Sequence, residues 1–562
     1  MLLPNETLQQ QGIVGEVEVS CTFVPSDLYA AWRWVRGSTS PGDCTALEGV
    51  TRLAGAPAGE YLHHLPDLES LALADSFDMQ LEGLKLPESL QSLTIASQCM
   101  QNLEGLKLPD NLQSLTFAYS FNQSLKGLIL PDDLQNLTFG FHFNQDLENL
   151  RLPTSLRTLA FGALSTQNPK QLTLPSNLQS LTLGGMFNET LEGFTLPSCL
   201  QSLTLGAHFN KGLEGVMLPD SLQNLNLGCQ FNQSLDLARL PENLKSLSVG
   251  FQFNQNLEGT KFPPNLQSLT FGYSFNQSLE STTLPKSLQS LTFGYCFNRG
   301  LEGMILPSSL EHLTFGHHFN QSLEAVTLPD SLRSLTLGYS FRHSLEHVTL
   351  PKNLDSLTFD PLSSQNFDRV ILPDSLQSLT FSPFTIGNNS PVMLPTNLQS
   401  LTFAAHRNQS LECVTLPNSL QSLTLRYFNK CLEGVLMPVT LQSLTLGETF
   451  NQRIQNMKLP SSLRSLTLGC HFNRDLDKAK LPGSIQSLTF GDQFNQTLDG
   501  FTLPDSLQTL TFGCGFDQSL DHVIFPHSLQ NLTFGSKFSH SLEQVTLPNL
   551  RSLQLRGVLL TC

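Results

Sequence analysis

Charge is scarce in this chain of 562 residues: only 14% of them are Asp, Glu, Lys or Arg. The basic sign is scarcer, with 31 Lys and Arg against 47 Asp and Glu, a net charge of −16. Nucleic-acid binding needs a basic patch or stripe, and none is present. Attraction to an anionic membrane surface is disfavoured for the same reason. No apolar run approaches the ~20 residues of a membrane-spanning helix. The opening stretch, MLLPNETLQQ, has neither the basic n-region nor the apolar h-region of a secretory signal. The expected location is therefore cytoplasmic. The 11 cysteines form no Cys-x-x-Cys pair. Free thiols in a reducing compartment are the expectation. No Gly-x-Ser-x-Gly, His-Glu-x-x-His, phosphate loop or paired-carboxylate context occurs. The chain reads as a non-enzyme without a cofactor or metal.

What is present is repetition. The segment LPKSLQSLTFGYCFNRGLEGMI, residues 284–305, is followed at once by another Leu-Pro at 306–307. The prolines of this step run from Pro66 through Pro87, Pro109 and Pro131 to Pro548, 23 in all. Their spacing is 22 residues, except for 21 at Pro66–Pro87 and Pro417–Pro438. A fixed period of this length with Leu-x-x-Leu-x-Leu spacing marks a leucine-rich solenoid.

With Leu288 as position 1, positions 1, 4, 6, 10, 14 and 19 are apolar: Leu288, Leu291, Phe293, Phe297, Leu301 and Leu306. Position 17 is usually apolar too. Positions 3 to 6 alternate polar and apolar, the period of a strand. Ser-Leu-Thr-Phe is thus a short strand with Leu and Phe inward. Helical spacing is absent, and proline at position 20 gives an extended or tightly turned return path. Gly294, at position 7, is expected to let the chain bend off the strand. One 22-residue coil cannot offset the entropy of its own ordering. Stacking makes each apolar column continuous and pairs the strands into a parallel sheet, mostly β in content. About 22 coils at ~4.8 Å each would form a rod or arc near 100 Å long. Position 11 is Asn in 14 coils, among them Asn122, Asn232, Asn298 and Asn495. A column of amides there can satisfy backbone groups at the bend of successive coils. Sequons such as Asn276-Gln277-Ser278 fall on this same stretch and read as by-products of the repeat.

The pattern Leu-Pro-x-Ser-Leu-Gln-Ser-Leu-Thr-Phe-Gly-x-x-Phe-Asn-Gln-Ser-Leu resembles the FNIP-type repeat, a 22-residue relative of leucine-rich repeats. Gly294, Phe297 and Asn298 carry the motif in the quoted coil. Gln-Ser-Leu usually follows Phe-Asn here, where the family name has Ile-Pro. The resemblance implies a protein-interaction solenoid, in some relatives fused to F-box or kinase modules, neither of which is found here.

Three segments follow from this reading. Residues 1–64, which hold Trp32 and Trp34, form either an N-terminal cap or a ubiquitin-like remnant. The cap reading puts a short helix at DLYAAWRWV; the remnant reading rests on ETLQQQGIVGEVEVSCTFV. Residues 65–548 are the solenoid, and 549–562 a closing turn.

Three columns lie on the surface. Ser290 and Thr292 stand for a hydroxyl-rich sheet face, read as β-propensity and solubility, as a docking face, or as an ice- or glycan-binding lattice. Position 15 is Asp or Glu in 18 of 22 coils, including Glu104, Glu192, Glu302 and Asp477. It is either a solvated edge that prevents aggregation or a contact for a basic partner. Position 8 is aromatic or His in five consecutive coils: Phe251, Tyr273, Tyr295, His317 and Tyr339. These rings are either a stiffening ladder or a contact patch of the kind interfaces use. His312, His317, His318, His343 and His347 spread around the coil and do not converge on a metal. The repeat degrades at 360–393 and around 162–172, where the coil is expected to continue with a changed surface. The resulting expectation is a scaffold that binds other proteins. The alternatives are a substrate-recognition subunit of a ubiquitin pathway and a structural or ice- or glycan-binding lattice.

Overall fold

The computed structural model describes residues 19–21, 50–56, 67–73, 84–95, 103–148, 150–167, 172–360, 370–381, 394–403, 411, 414–542, 544–547, 549–555 and 558–561. The chain divides into two units, Glu6–Leu288 and Gln289–Thr561. In the first, β1 (Val19–Cys21) pairs antiparallel with β2 (Val50–Ala56), and β2 lies parallel to β3 (Ser70–Leu73). One short strand per coil follows, each parallel to the last, as far as β12 (Ser268–Thr270). In the second, β13 (Ser290–Thr292) opens a run of parallel strands that reaches β25 (Ser552–Leu555), which β26 (Val558–Thr561) closes antiparallel. No helix occurs among the described residues. The proposed helix at DLYAAWRWV lies outside them.

Register follows from the period. A 22-residue repeat brings each position opposite itself, as in Leu225↔Leu247 and Asn226↔Ser248. The irregular coils obey the same rule: Leu357↔Leu379 and Leu379↔Leu401 bracket residues 360–393. The sheet therefore continues through the degraded repeats.

Alternation along each strand is as expected: in Ser378–Phe381 the Leu and Phe are buried, the Ser and Thr half-buried. In the coil that begins at Leu288, Leu288, Leu291 and Phe297 are fully buried, with Phe293 and Leu301 nearly so. Inner phenylalanines stack in file, Phe231 on Phe253 at 6.1 Å and 5°. Offset ring stacking adds to the burial of this column.

Three tight turns shape a regular coil. Leu288 N–H donates to Pro285 O at 3.1 Å, Phe297 N–H to Gly294 O at 3.3 Å, and Met304 N–H to Leu301 O at 3.1 Å. The proline corner was legible from the sequence. The corner at positions 14–17 was not: some coils turn it with a left-handed residue at position 16, such as Gly303 at φ +76°, and others without one, as at Ala325, where Val326 N–H still donates to Leu323 O at 3.1 Å. Glycine adopts that region without steric penalty.

Position 7 differs in cause from the expectation. Among its described glycines only Gly228 has a positive φ. What these sites lack is space: a Cβ on Gly316 or Gly338 would land on the carbonyl oxygen of the glycine one coil back. Glycine is there because successive backbones nearly touch.

The asparagines of position 11 form a hydrogen-bonded ladder. Asn144 N–H donates to Asn122 Oδ1, Asn254 N–H to Asn232 Oδ1 and Asn320 N–H to Asn298 Oδ1, each at 2.9 Å. Asp517 N–H does the same to Asn495 Oδ1. The Nε2 of the glutamine at position 12 joins the same oxygen, as Gln255 does on Asn232 at 3.1 Å. The hydroxyl at position 13 then accepts the N–H at position 15, as Ser278 accepts from Glu280 at 3.2 Å. Every residue of an Asn-Gln-Ser sequon thus has a place in this bonding pattern.

Candidate interaction surfaces

The corner that follows the strand carries position 8, exposed at Tyr119, Cys229, Phe251 and Tyr273 and half-buried at Tyr295, His317 and Tyr339. A backbone bond holds it there: the N–H of position 9 donates to the carbonyl of position 8 one coil back. Ser274 N–H to Phe251 O is 2.9 Å, His318 N–H to Tyr295 O 2.8 Å and Ser340 N–H to His317 O 2.8 Å. Consecutive Cα atoms are thereby fixed one coil apart, close to the thickness at which rings stack. In the first unit Phe251 stacks on Tyr273, centroids 4.5 Å apart at 14°. In the second, Tyr295 stacks on His317 at 4.3 Å and His317 on Tyr339 at 4.4 Å. Phe251 and Tyr273 are exposed, Tyr295, His317 and Tyr339 half-buried. His317 Nδ1 is buried with no hydrogen-bond partner, a polar atom enclosed by its two neighbouring rings.

Sequence reading missed a second ring pair in the same column. Tyr119 stacks on Phe141 at 4.8 Å and 14°, and His142 meets Tyr119 edge-on at 5.3 Å. Only two aromatic coils stand together there, too short a run to notice without the stack. Leu164 and Met186, at position 9 of the next two coils, are also exposed.

Further along the column the side chains are Glu448, Cys470, Asp492 and Cys514. Cys470 Sγ donates to Asp492 Oδ2 at 3.5 Å, and Cys514 N–H to Asp492 Oδ1 at 3.1 Å. The Cys514 N–H bond, ahead of the thiols, holds the Asp492 carboxyl below its ordinary range. Partial desolvation, then the Asp492 carboxylate, pushes the Cys470 thiol up. A thiol so placed is a poor nucleophile. The column spreads these groups along a line, and among the described residues no three metal-ligating side chains gather on one point. The five histidines named above belong to no such group either.

The acidic column sits on the next corner, at positions 15 and 16. Glu192, Glu214, Glu258, Glu302 and Asp477 are exposed. The sheet face carries half-buried Ser and Thr, flanked by exposed glutamines at position 2. In the second unit a shallow groove of about 450 Å³ runs between Ser375, Asn397 and Ser419 on one side and Gln377, Gln399 and Gln421 on the other. Ser375 and Ser419 each donate to a leucine carbonyl one coil back at 2.7 Å. No helix is long and apolar enough to cross a membrane among the described residues.

Comparison with known proteins bears on the fold. A crystal structure of CroV588, described as a novel circular LRR protein, is 36% identical, with a TM-score of 0.58 over 86% of this chain and 75% of that one. YopM from Yersinia enterocolitica WA-314 is 20% identical, with a TM-score of 0.39 over 91% of this chain and 100% of its own. TLR13, in a complex with ssRNA13, is 16% identical, with a TM-score of 0.46 over 88% of this chain and 72% of its own. No curated protein sequence matches. The FNIP Repeat model matches again and again from residue 100 to residue 556, in segments such as 253–296 and 472–515. With its repeats tiling most of the length, its parallel strands and its leucine-rich relative, this chain belongs to the FNIP repeat family.

Proposed function

We propose that this chain is a cytoplasmic scaffold that binds other proteins through the corner at positions 7–10 and performs no chemistry itself. The observation that carries this reading is the ring column: large apolar side chains, partly exposed, held in file by the backbone bond from position 9 to position 8. Preformed aromatic surfaces lose little entropy on binding, and for that reason dominate interface energetics. The polar column of Asn and Gln beside them is occupied by its own hydrogen bonds and offers less to a partner. The test is affinity capture from cell extract with the intact chain and with a variant carrying Tyr273→Ser, Tyr295→Ser and Tyr339→Ser. Loss of a defined set of proteins from the variant is the expected result. An identical set from both would remove the ring column as the contact surface.

A further inference from the structure

Position 8 of the first unit, from residue 119 to residue 273, runs Tyr119, Phe141, Ala163, Gly185, Ala207, Cys229, Phe251, Tyr273. Two stacked ring pairs thus stand at either end of four coils whose side chains are too small to meet them. The strands beneath pair in unbroken register, and the same backbone tether holds both ends, Leu164 N–H to Phe141 O and Gln252 N–H to Cys229 O, each at 2.8 Å, shifting by one residue only at Gly185, whose N–H donates to Gly162 O at 3.2 Å. Each pair covers one face of its inner ring. The other faces, of Phe141 and of Phe251, look toward each other along the column, and the position-8 side chains between them carry no ring to stack on either. Phe251 is accordingly 47% exposed. Beside Phe141, Leu164 and Met186 extend the apolar surface at 38% and 39% exposure. Contiguous exposed apolar side chains of this size mark interaction sites.

The spacing selects an occupant. Phe141 and Phe251 are five coils apart, ~24 Å at one strand spacing per coil. An extended chain covers that distance in about seven residues at its ~3.3 Å rise. Charge narrows it further. The neighbouring corner of these coils carries Glu148, Glu192, Glu214, Asp236 and Glu258, all exposed, with Lys170 at that repeat position in the one remaining coil. A second copy of this chain would bring a like-signed row against that row, in a molecule already at −16, and like charges across an interface are selected against.

We propose that this surface docks an extended, basic segment of another protein, with two apolar anchors about seven residues apart, one against Phe141 and one against Phe251. The proposal rests on the scaffold reading above and specifies one class of partner for it.

A fluorescent peptide tests this, with tryptophans about seven residues apart and lysines among serine and glycine between them. Two controls accompany it: the same composition with adjacent tryptophans, and the spaced peptide with glutamates for lysines. Fluorescence anisotropy with the full chain should show the spaced basic peptide binding about tenfold more tightly than either control. Ala207→Tyr with Cys229→Tyr should weaken that binding by a similar factor. Tyrosine already occupies this position in other coils, so the ladder is extended and the thermal midpoint should hold or rise. Phe251→Ser should weaken binding to the spaced peptide alone. Equal affinity for the three peptides, no binding, or binding unchanged by the tyrosines would each overturn the proposal. Affinity capture separates it from the scaffold reading. A filled variant that keeps every captured protein, while the Tyr273, Tyr295 and Tyr339 variant loses them, sinks the two-anchor site and leaves the scaffold standing.

Discussion

Glycine occupies two sites per coil for unrelated reasons, and substitution should separate them. At Gly316 an added Cβ meets backbone oxygen of the neighbouring coil, which cannot move without disturbing the sheet. Gly316→Ala should cost more than ~3 kcal/mol, at the damaging end for single substitutions. Gly303 has open space around its missing Cβ, so Gly303→Ala carries at most the left-handed backbone penalty of about 1–2 kcal/mol, and Ala325 closes the same turn without a positive φ. Lys478 already adopts φ 62° at the same repeat position. Thermal unfolding of the two variants should show the Gly316→Ala shift clearly larger; the reverse order would refute the close-approach argument. The asparagine ladder makes a second prediction. Asn232→Ala removes the acceptor for Asn254 N–H and Gln255 Nε2, at about 1 kcal/mol for a partly solvated pair. Asn232→Asp keeps the oxygen, as Asp517 does in accepting Ser539 N–H at 2.8 Å. Hydrogen exchange at the Asn254 amide should accelerate in the alanine variant and stay near wild type in the aspartate variant. Equal acceleration in both would mean the side-chain oxygen is not the acceptor. Asparagine at position 11 could be read as structural because its amide suits a bend. The two glycines could not be told apart, because one is set by a dihedral angle and the other by a neighbour 22 residues away.

The coil is the unit of register. Where the chain has 21 residues between Pro417 and Pro438, Ser422 still faces Ser443 and Leu423 faces Leu444. The missing residue is absorbed between Leu425 and Phe428, in the corner after the strand, where Phe428 remains buried. Loss of one residue inside a strand would instead turn its apolar side chains to solvent. Removal of residues 307–328, one full coil from proline to leucine, should therefore leave a folded protein with a midpoint within a few degrees of the parent. Removal of 307–317, half a coil, should abolish cooperative melting by circular dichroism. Similar damage from both deletions would show that coils are not interchangeable. At this scale most of the structure was legible: strand, inward faces, proline corner and parallel pairing all follow from period-2 alternation inside a 22-residue repeat. The corner at positions 14–17 was not, because two backbone forms close it, one with a left-handed glycine and one without, and no single residue pattern marks both.

At the scale of the molecule, the scarce charge is unevenly placed. Exposed carboxylates recur at one corner of successive coils; the 3.0 Å ion pair Arg333–Asp355 lies at position 2, away from that corner, and at the corner itself Lys478 lies 4.0 Å from Asp477. Each neighbouring pair of like charges repels across water by about 1 kcal/mol or less, and such pairs add along the column. Screening should relieve that. Between about 10 mM and 150 mM salt, where the screening length falls from about 30 Å to about 8 Å, the thermal midpoint should rise by a few degrees. A fall would mean that attractive pairs outweigh the column's repulsion. The same salt should weaken binding of the basic two-anchor peptide while leaving its dependence on Phe251 intact.

The amino-acid sequence by itself determined the repeat, the direction in which each side chain of the strand faces, and the acidic corner. These are periodic properties, fixed by what lies within a single coil. Only the tertiary structure decided which glycine is a hinge and which a contact, that Asp492 lies between two thiols, and that Phe141 and Phe251 bound a stretch of small residues. Those depend on atoms in different coils, whose distances are set by stacking rather than by position along the chain.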